Sequence, residues 1–394
     1  MNSSKKKAFY FVLLMGLVSL FSDITYEGAR SLVGPYLGLL GASAVVVSAV
    51  AGLGELLGYT LRYLTGKLVD KTRKYWFFAI LGYSVNLLVI PTLALTKHWT
   101  LAALLIVLER IGKALRKPAK DTITSFAGSQ LGYGTTFALE EFLDQIGATI
   151  GPLIMSITIA QNIKLGTIDS YRKAFSFLAF PALITIGIIF IARVLVPEPE
   201  KMEKESVSSK SSQIKFDKAF YAYLIAISLI AFGFADFALI GYHVQKFGIL
   251  SPALIPTAYM IAMIIDAFAA LIFGRLFDKF GINILALSTF IAAFYSIFAF
   301  SQTSANVFIG AALWGIGMGA QESIMKATIA KLVSKEVRGT AYGFFNAIFG
   351  IAWFVGSAFL GLMYSLDIRY LIALSVATQV SAVVVIFYIS KIKK

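Results

Sequence analysis

Long apolar runs alternate with short polar connections along the whole chain. The runs recur at about 20 residues, the length an α-helix needs to cross a hydrocarbon core of roughly 30 Å. Twelve such runs predict twelve membrane-spanning helices, near residues 8–36, 43–66, 76–96, 99–127, 133–160, 172–195, 218–246, 252–275, 282–302, 305–331, 338–363 and 367–390. Several are longer than the core requires, so tilt or extension into the headgroups is expected. The period-two alternation of an outer-membrane barrel is absent. The expected fold is an all-α membrane protein.

One polar stretch breaks the pattern. Residues 197–218 read PEPEKMEKESVSSKSSQIKFDK, too polar to build a core. This predicts an N-terminal six-helix half (1–196), a cytoplasmic linker (197–217) and a C-terminal six-helix half (218–394). The halves repeat. Gly66-Lys67-Leu68-Val69-Asp70-Lys71 closes the second run, and Gly274-Arg275-Leu276-Phe277-Asp278-Lys279 closes the eighth. Agreement in sequence and in run number points to parallel repeats.

Composition agrees with the pattern: 58% of residues are hydrophobic and 14% charged, with a mean hydropathy of +0.80. The formal net charge is +14. In a soluble chain that would raise nucleic acid as a partner. Here the basic residues sit between apolar runs, where they orient a membrane protein and meet anionic lipid. Connections carrying Lys5–Lys7, Lys67, Lys71, Arg73, Lys74, Arg116, Lys117, Lys120, Arg275, Lys279, Lys331, Lys335, Arg338, Lys391, Lys393 and Lys394 are assigned to the cytoplasm, together with both termini. The first run, from Ala8, carries Asp23, Glu27 and Arg30 and is read as a retained helix. With no cysteine and two histidines, His98 and His243, no metal or cofactor site is expected. No H-E-x-x-H, G-x-S-x-G or Walker loop points to an enzyme or an ATP-driven pump.

The informative residues are charges inside the runs, each costing at least ~2.5–3.5 kcal/mol on insertion scales. Asp23, Glu27 and Arg30 share one helical face, as do Glu55 and Arg62. The fourth run carries Glu109, Arg110 and Lys113; the fifth carries Glu140, Glu141 and Asp144. The second half is sparser, with Asp236, His243, Asp266, Glu322 and Lys326. Two readings stand: structural pairs that neutralise one another, or carboxylates that load and release protons. The mid-run positions of Asp23, Glu27, Glu55, Arg110, Glu141 and Asp144 favour proton coupling. Arg62, Arg116, Lys117 and Lys326 are expected to snorkel to the cytoplasmic interface, and Glu140 to stay hydrated there. Arg30, Tyr26, Tyr59, Phe137, Phe234, Asp236, Tyr242 and Trp353 are candidate cavity residues, with plain helix packing as the competing reading for the aromatics.

At this point the chain resembles the major facilitator superfamily over essentially its whole length. Gly66, Asp70, Lys71 and Lys74 match that superfamily's loop motif, with Arg73 in place of the inner glycine. The second copy keeps Gly274, Asp278, Lys279 and Gly281. Gly147, Gly151 and Pro152 resemble the G-x-x-x-G-P core of its drug–proton antiporters, although Met155 and Ser156 replace the trailing glycine pair. Close helix packing is the competing reading of those glycines. The run from Glu109 to Lys113 is similar to efflux permeases of the same superfamily. The resemblance implies alternating access, with Asp70, Lys71, Arg73, Lys74 and Asp278 at a cytoplasmic gate. It also implies a proton-coupled antiporter, monomeric in the plasma membrane, exporting small amphipathic molecules. Proton-coupled uptake of a polar solute and a non-transporting sensor are the alternatives. The expected proton site joins Asp23 and Glu27, near Arg30, to Arg110 facing Glu141 or Asp144.

Overall fold

The computed structural model describes residues 3–202, 217–333 and 338–392. Most of the linker lies outside them, as do the side chains of Lys326, Lys331, Lys335, Arg338, Lys393 and Lys394. The described residues form helices and no strand. In chain order the spans are α1 (Ser3–Leu39), α2 (Ala44–Thr72), α3 (Tyr75–Thr92), α4 (Trp99–Leu131), α5 (Tyr133–Asn162), α6 (Thr167–Phe177 continued by Ala179–Leu195), α7 (Lys218–Gly233 and Phe237–Lys246), α8 (Leu254–Phe280), α9 (Asn283–Ala292 and Tyr295–Ala299), α10 (Ser304–Leu332), α11 (Arg338–Leu366) and α12 (Ile368–Ile392). Nine helices among the described residues are long and apolar enough to cross a membrane. The charges of α4 and the break within α9 account for two of the remaining spans.

The chain divides into two compact units. One comprises Met1–Leu32 and Leu57–Val207, the other Val33–Leu56 and Ser208–Lys394. The first unit has a core of Phe11, Met15, Trp76, Tyr83, Ile123 and Ile189, among others. Its helices approach closely at glycines. A methyl on Gly82 would come within 2.8 Å of the Arg116 Cα, and one on Gly112 within 2.7 Å of the Asn86 Cα, so α3 and α4 touch backbone to backbone. A methyl on Gly151 would lie 2.8 Å from the Gly28 nitrogen, and Gly147 packs on Leu20. The α5 glycines therefore seat that helix on α1. Lipid gives helices little hydrophobic reason to associate, so small residues that permit such contact supply much of the cohesion.

In the second unit α7 unwinds at Phe234-Ala235-Asp236, a break the hydropathy pattern does not reveal. Within a bilayer every freed backbone group needs a partner. Here side chains provide them. The Ala235 N–H donates to Tyr295 Oη at 2.6 Å, and Trp314 Nε1 donates to the Ala235 carbonyl at 2.9 Å. Ser375 Oγ donates to the Gly233 carbonyl at 2.7 Å and Gln379 Nε2 to that of Ile230 at 2.8 Å. Asp236 accepts from the Ala238 N–H at 2.9 Å and caps the second piece. The break is a built feature, held from α9, α10 and α12.

The two copies of the repeated motif end their helices alike. Arg73 N–H donates to the Val69 carbonyl and Gly281 N–H to that of Phe277, each at 2.8 Å. Both residues have positive φ, +53° and +68°, and Arg73 is the one non-glycine of that kind among the described residues. The arginine therefore occupies a backbone state that suits the glycine of the second copy. Left-handed backbone costs a non-glycine residue about 1–2 kcal/mol, partly offset by the entropy a glycine loses on folding. Arg73→Gly should accordingly stabilise the protein by up to about 1 kcal/mol, while Gly281→Ala destabilises it. Thermal unfolding in detergent checks this, with Arg73→Lys as a control that stays at the wild-type value. No shift in either Arg73→Gly or Gly281→Ala would count against it.

Candidate functional site

The first unit concentrates its charges on one polar seam between α1, α4 and α5, with α3 behind. On α4, Arg110, Lys113, Arg116 and Lys120 recur at spacings of three, three and four, which places them along one face. The α1 face opposite carries Ser19, Asp23, Tyr26 and Glu27, all buried. The contacts set the register. Arg110 Nη1 donates to Tyr26 Oη, and Lys113 Nζ sits 3.4 Å from the centre of the Tyr26 ring. Arg116 Nη2 lies 3.9 Å from Asp23 Oδ1, and Lys120 donates to Ser19 Oγ. Moving up α1 thus means moving down α4.

Two anchors flank the centre of the seam. Lys120 pairs with Glu140 of α5, and Ser19 Oγ donates to the same carboxylate at 3.4 Å, so three helices meet at one buried ion pair. At the other end Glu109 accepts from Asn86 Nδ2 of α3 at 2.5 Å and lies 3.3 Å from Arg110 Nε. Between them stand Asp23 and Arg116, the latter with its guanidinium 4.4 Å from the Tyr83 ring centre. Asp144, Lys113 and Glu27 are the other charges that act on Asp23. Arg30 lies 3.9 Å from Glu27, one turn away. The seam holds five carboxylates (Asp23, Glu27, Glu109, Glu140 and Asp144) and five cations (Arg30, Arg110, Lys113, Arg116 and Lys120). Its formal charge is zero.

The placement of the sequence-derived candidates is mixed. Asp23, Glu27, Arg30, Tyr26, Arg110 and Asp144 fall in the seam. Among the described contacts Arg110 meets Tyr26 and Glu109, while the α5 carboxylates Glu140 and Asp144 act on Lys120 and Arg116. Glu141 is exposed and pairs with Gln145 on its own helix, and Phe137 is 39% exposed. Arg116 is not a snorkelling residue and Glu140 is not hydrated: their side chains are 4% and 6% exposed. Of the cations near Pro118, Lys117 alone reaches the surface, pairing with Asp121 at 3.2 Å. Glu109, Lys113, Arg116, Lys120, Glu140, Ser19 and Asn86 are site residues that the sequence reading does not assign. The three–three–four spacing on α4 was the available signal. It is obscured because Arg116, Lys117 and Lys120 look like a basic cytoplasmic connection, whereas they lie within α4, which runs to Leu131.

The remaining candidates lie elsewhere. Tyr59 is half-buried on α2 with Arg62 5.5 Å from its ring centre, and Glu55 is half-buried in the second unit. Asp236 is the α7 cap, Trp353 packs on Phe234 at 5.9 Å between ring centres, and Tyr242 packs on Tyr364 at 6.0 Å. Asp70, Lys71, Arg73 and Lys74 are exposed at the end of α2, where Gly66 lies against Pro118; Asp278 is exposed at the end of α8.

Removing one partner of a buried ion pair leaves an uncompensated charge and costs about 3–5 kcal/mol, whereas removing both is far milder. Lys120→Met and Glu140→Gln should each lower the unfolding temperature sharply, and the double variant should recover most of the loss. Thermal unfolding of the four proteins in detergent gives the coupling. Additive losses in the double variant would show that the pair does not anchor the seam.

The comparisons with known proteins agree with this architecture. Residues 11–357 and 250–393 match the Major Facilitator Superfamily. The chain is 36% identical over 386 residues to an uncharacterised protein of Mycobacterium tuberculosis, Rv2265, covering 97% of this chain and 93% of that one. It is 26% identical over 378 residues to an uncharacterised MFS-type transporter of Methanocaldococcus jannaschii, MJ1317, covering 93% and 91%. The fold is similar to that of a bacterial homologue of the human lysosomal transporter Spinster in an inward-facing, occupied conformation. That likeness has a TM-score of 0.75 at 14% identity and covers 97% of this chain and 96% of that one. The nucleoside transporter NupG gives 0.73 at 14% identity, with 100% of both chains covered. At such identity the structural likeness speaks to fold alone. The chain is a multi-pass membrane protein and belongs to the Major Facilitator Superfamily of transporters.

Proposed function

We propose that this transporter is coupled to protons, that Asp23 is the carboxylate that carries them, and that it works as an antiporter exporting small amphipathic molecules. The observation that carries the reading is the loose Arg116–Asp23 pair, 3.9 Å apart, inside a seam whose charges otherwise balance. A proton on Asp23 takes the formal charge of the seam from zero to +1. The freed Arg116 still has Asp144, the other carboxylate that acts on it. An uncompensated charge in a low-dielectric bundle favours the conformation that hydrates it. Loading and release of one proton therefore bias two exposures of the site. Glu27 and Arg30 extend the network along α1. The G-x-x-x-G-P resemblance at Gly147–Pro152 supports the antiporter branch and the export direction.

On this reading the halves 1–196 and 218–394 work as two bundles joined by a cytoplasmic linker, both termini are cytoplasmic, and the chain is a monomer of the plasma membrane. The distribution of Lys and Arg supports that orientation. Asp70 and the basic residues beside it act at the cytoplasmic gate, a role supported by the match to the superfamily's loop motif and by their exposure at the end of α2.

The test uses everted vesicles with an acid lumen, so that protons run outward as compound moves in, and a panel of amphipathic cations, beginning with ethidium and tetraphenylphosphonium. Wild type should dissipate the gradient when a transported compound is added. Asp23→Asn should abolish gradient-driven accumulation while compound exchange without a gradient survives, and Glu141→Gln, exposed and outside the seam, should behave as wild type. Accumulation by right-side-out vesicles instead would establish a symporter. Undiminished accumulation by a well-folded Asp23→Asn protein would move the proton site away from the seam.

A further inference from the structure

The second unit buries an imidazole that the seam does not use. His243, on the second piece of α7, is fully buried. Its Nε2 lies 3.3 Å from the Ser301 carbonyl in the turn between α9 and α10, and its Nδ1 lies 3.1 Å from Tyr364 Oη on α11. One ring thus ties three elements together. The carbonyl can only accept, so Nε2 carries a hydrogen. Nδ1 is then the acceptor of a neutral imidazole, and the Tyr364 hydroxyl donates to it. The rest of the surroundings is aromatic: Phe247, Phe300 and Tyr364 stand 5.0, 5.4 and 5.8 Å from the imidazole centre. The charged or titratable groups that face it are few. Lys246, from the same helix, lies 5.7 Å from the centres of both the Tyr242 and Tyr364 rings. Asp367, three residues beyond Tyr364, is held by Arg369 at 2.7 Å.

We propose that His243 is a second proton-binding site, distinct from the seam, whose loading releases the end of α7 from α11 and from the α9–α10 turn. A second proton places a hydrogen on Nδ1, where the structure has a donor pointing in. Tyr364 must turn its hydroxyl to accept, and its own hydrogen then faces aromatic rings. The new cation also sits near Lys246 with no carboxylate against it among the described contacts. The attraction of the Ser301 carbonyl and of the helix C-terminus opposes these costs. Two effects outweigh it: burial without a counter-charge is the larger, and the hydroxyl hydrogen left without an acceptor adds to it. The second piece of α7 is short and follows the Phe234–Asp236 break; Gly34 packs on its Ala238 backbone and Tyr259 on its Phe237 ring, so what the latch releases is the far end, from His243 to Lys246. The site lies at the end of α7 remote from the linker. It does not depend on Asp23 being the coupling carboxylate.

Hydrogen exchange of the full-length protein in detergent, at about pH 5 and pH 8, reads this without a substrate. After correction for intrinsic rates, wild-type peptides covering Phe237–Lys246 should exchange about tenfold faster at the acid pH, with no such change in α3. His243→Gln cannot take up the proton and should show the same exchange at both values. Tyr364→Phe removes the donor to the neutral ring and should exchange fast at both; it decides the matter if the glutamine variant does not fold. The proposal is overturned if wild type shows no acid-driven loosening there. It is equally overturned if the loosening persists in His243→Gln, or if Tyr364→Phe matches wild type at both values.

Discussion

Charge neutrality inside an apolar bundle is the constraint on which the first unit depends. Removing an ion from water costs several kcal/mol even after relaxation, and only nearby opposite charges and well-placed hydrogen bonds offset it. The seam meets that demand collectively. Each seam cation of α4 faces an α1 or α5 acid, or the face and hydroxyl of Tyr26, and the glycines of α1, α3, α4 and α5 bring the backbones close enough for short side chains to reach. The polar and the small-residue patterns are therefore one design. Tight α3–α4 and α1–α5 contacts fix the register, and the register fixes which acid meets which base.

The second unit answers the membrane in a different way. Its most irregular backbone, at Phe234–Asp236, is satisfied by neutral donors and acceptors: a tyrosine, a tryptophan, a serine and a glutamine. Unwound backbone at membrane depth persists only where such partners are built for it. The break also sets Phe234 among Tyr295, Trp314 and Trp353, whose ring centres lie 4.9, 5.6 and 5.9 Å away. An aromatic cluster thus stands at the break, while the imidazole of His243 ties the far end of the second piece to α11 and to the α9–α10 turn.

Much of this was legible in the chain. Span positions follow from hydropathy alone, and most boundaries fall within a few residues of the structure, because crossing a fixed apolar thickness leaves little freedom in helix length. The acids of α1 were legible for the same reason, lying too deep to be loop residues. The partners of those acids were not legible. Helix period gives the face a residue occupies, but the facing pairs depend on register between helices far apart in sequence, which glycine contacts decide. Arg110 was accordingly matched to α5, when the same α4 face continues past Pro118 to Lys120. The α7 break was hidden because Gly233 alone precedes it within an otherwise apolar run, and its cause lies in side chains some 60 to 150 residues away, by the separations of the bonds that hold it. Arg73 shows the reverse case. The sequence flagged a departure from the glycine pattern, and the positive φ explains why glycine suits that position.

A switch inside such a network requires unequal bonds. Lys120, Ser19 and Glu140 form a closed three-helix contact, and Glu109 is held from both α3 and α4. Those ends resist change, since losing either partner strands a buried charge. The Asp23–Arg116 contact is different in kind. At 3.9 Å it exceeds hydrogen-bond length, and the guanidinium is held as much by the Tyr83 ring as by the acid. Protonating Asp23 therefore sacrifices little direct bonding, while the redistribution of charge it causes is felt along the whole seam. A site with every pair drawn tight would be stable and inert. On the proposed coupling, two firm ends and a slack centre would let one proton change the balance of the bundle without dismantling it.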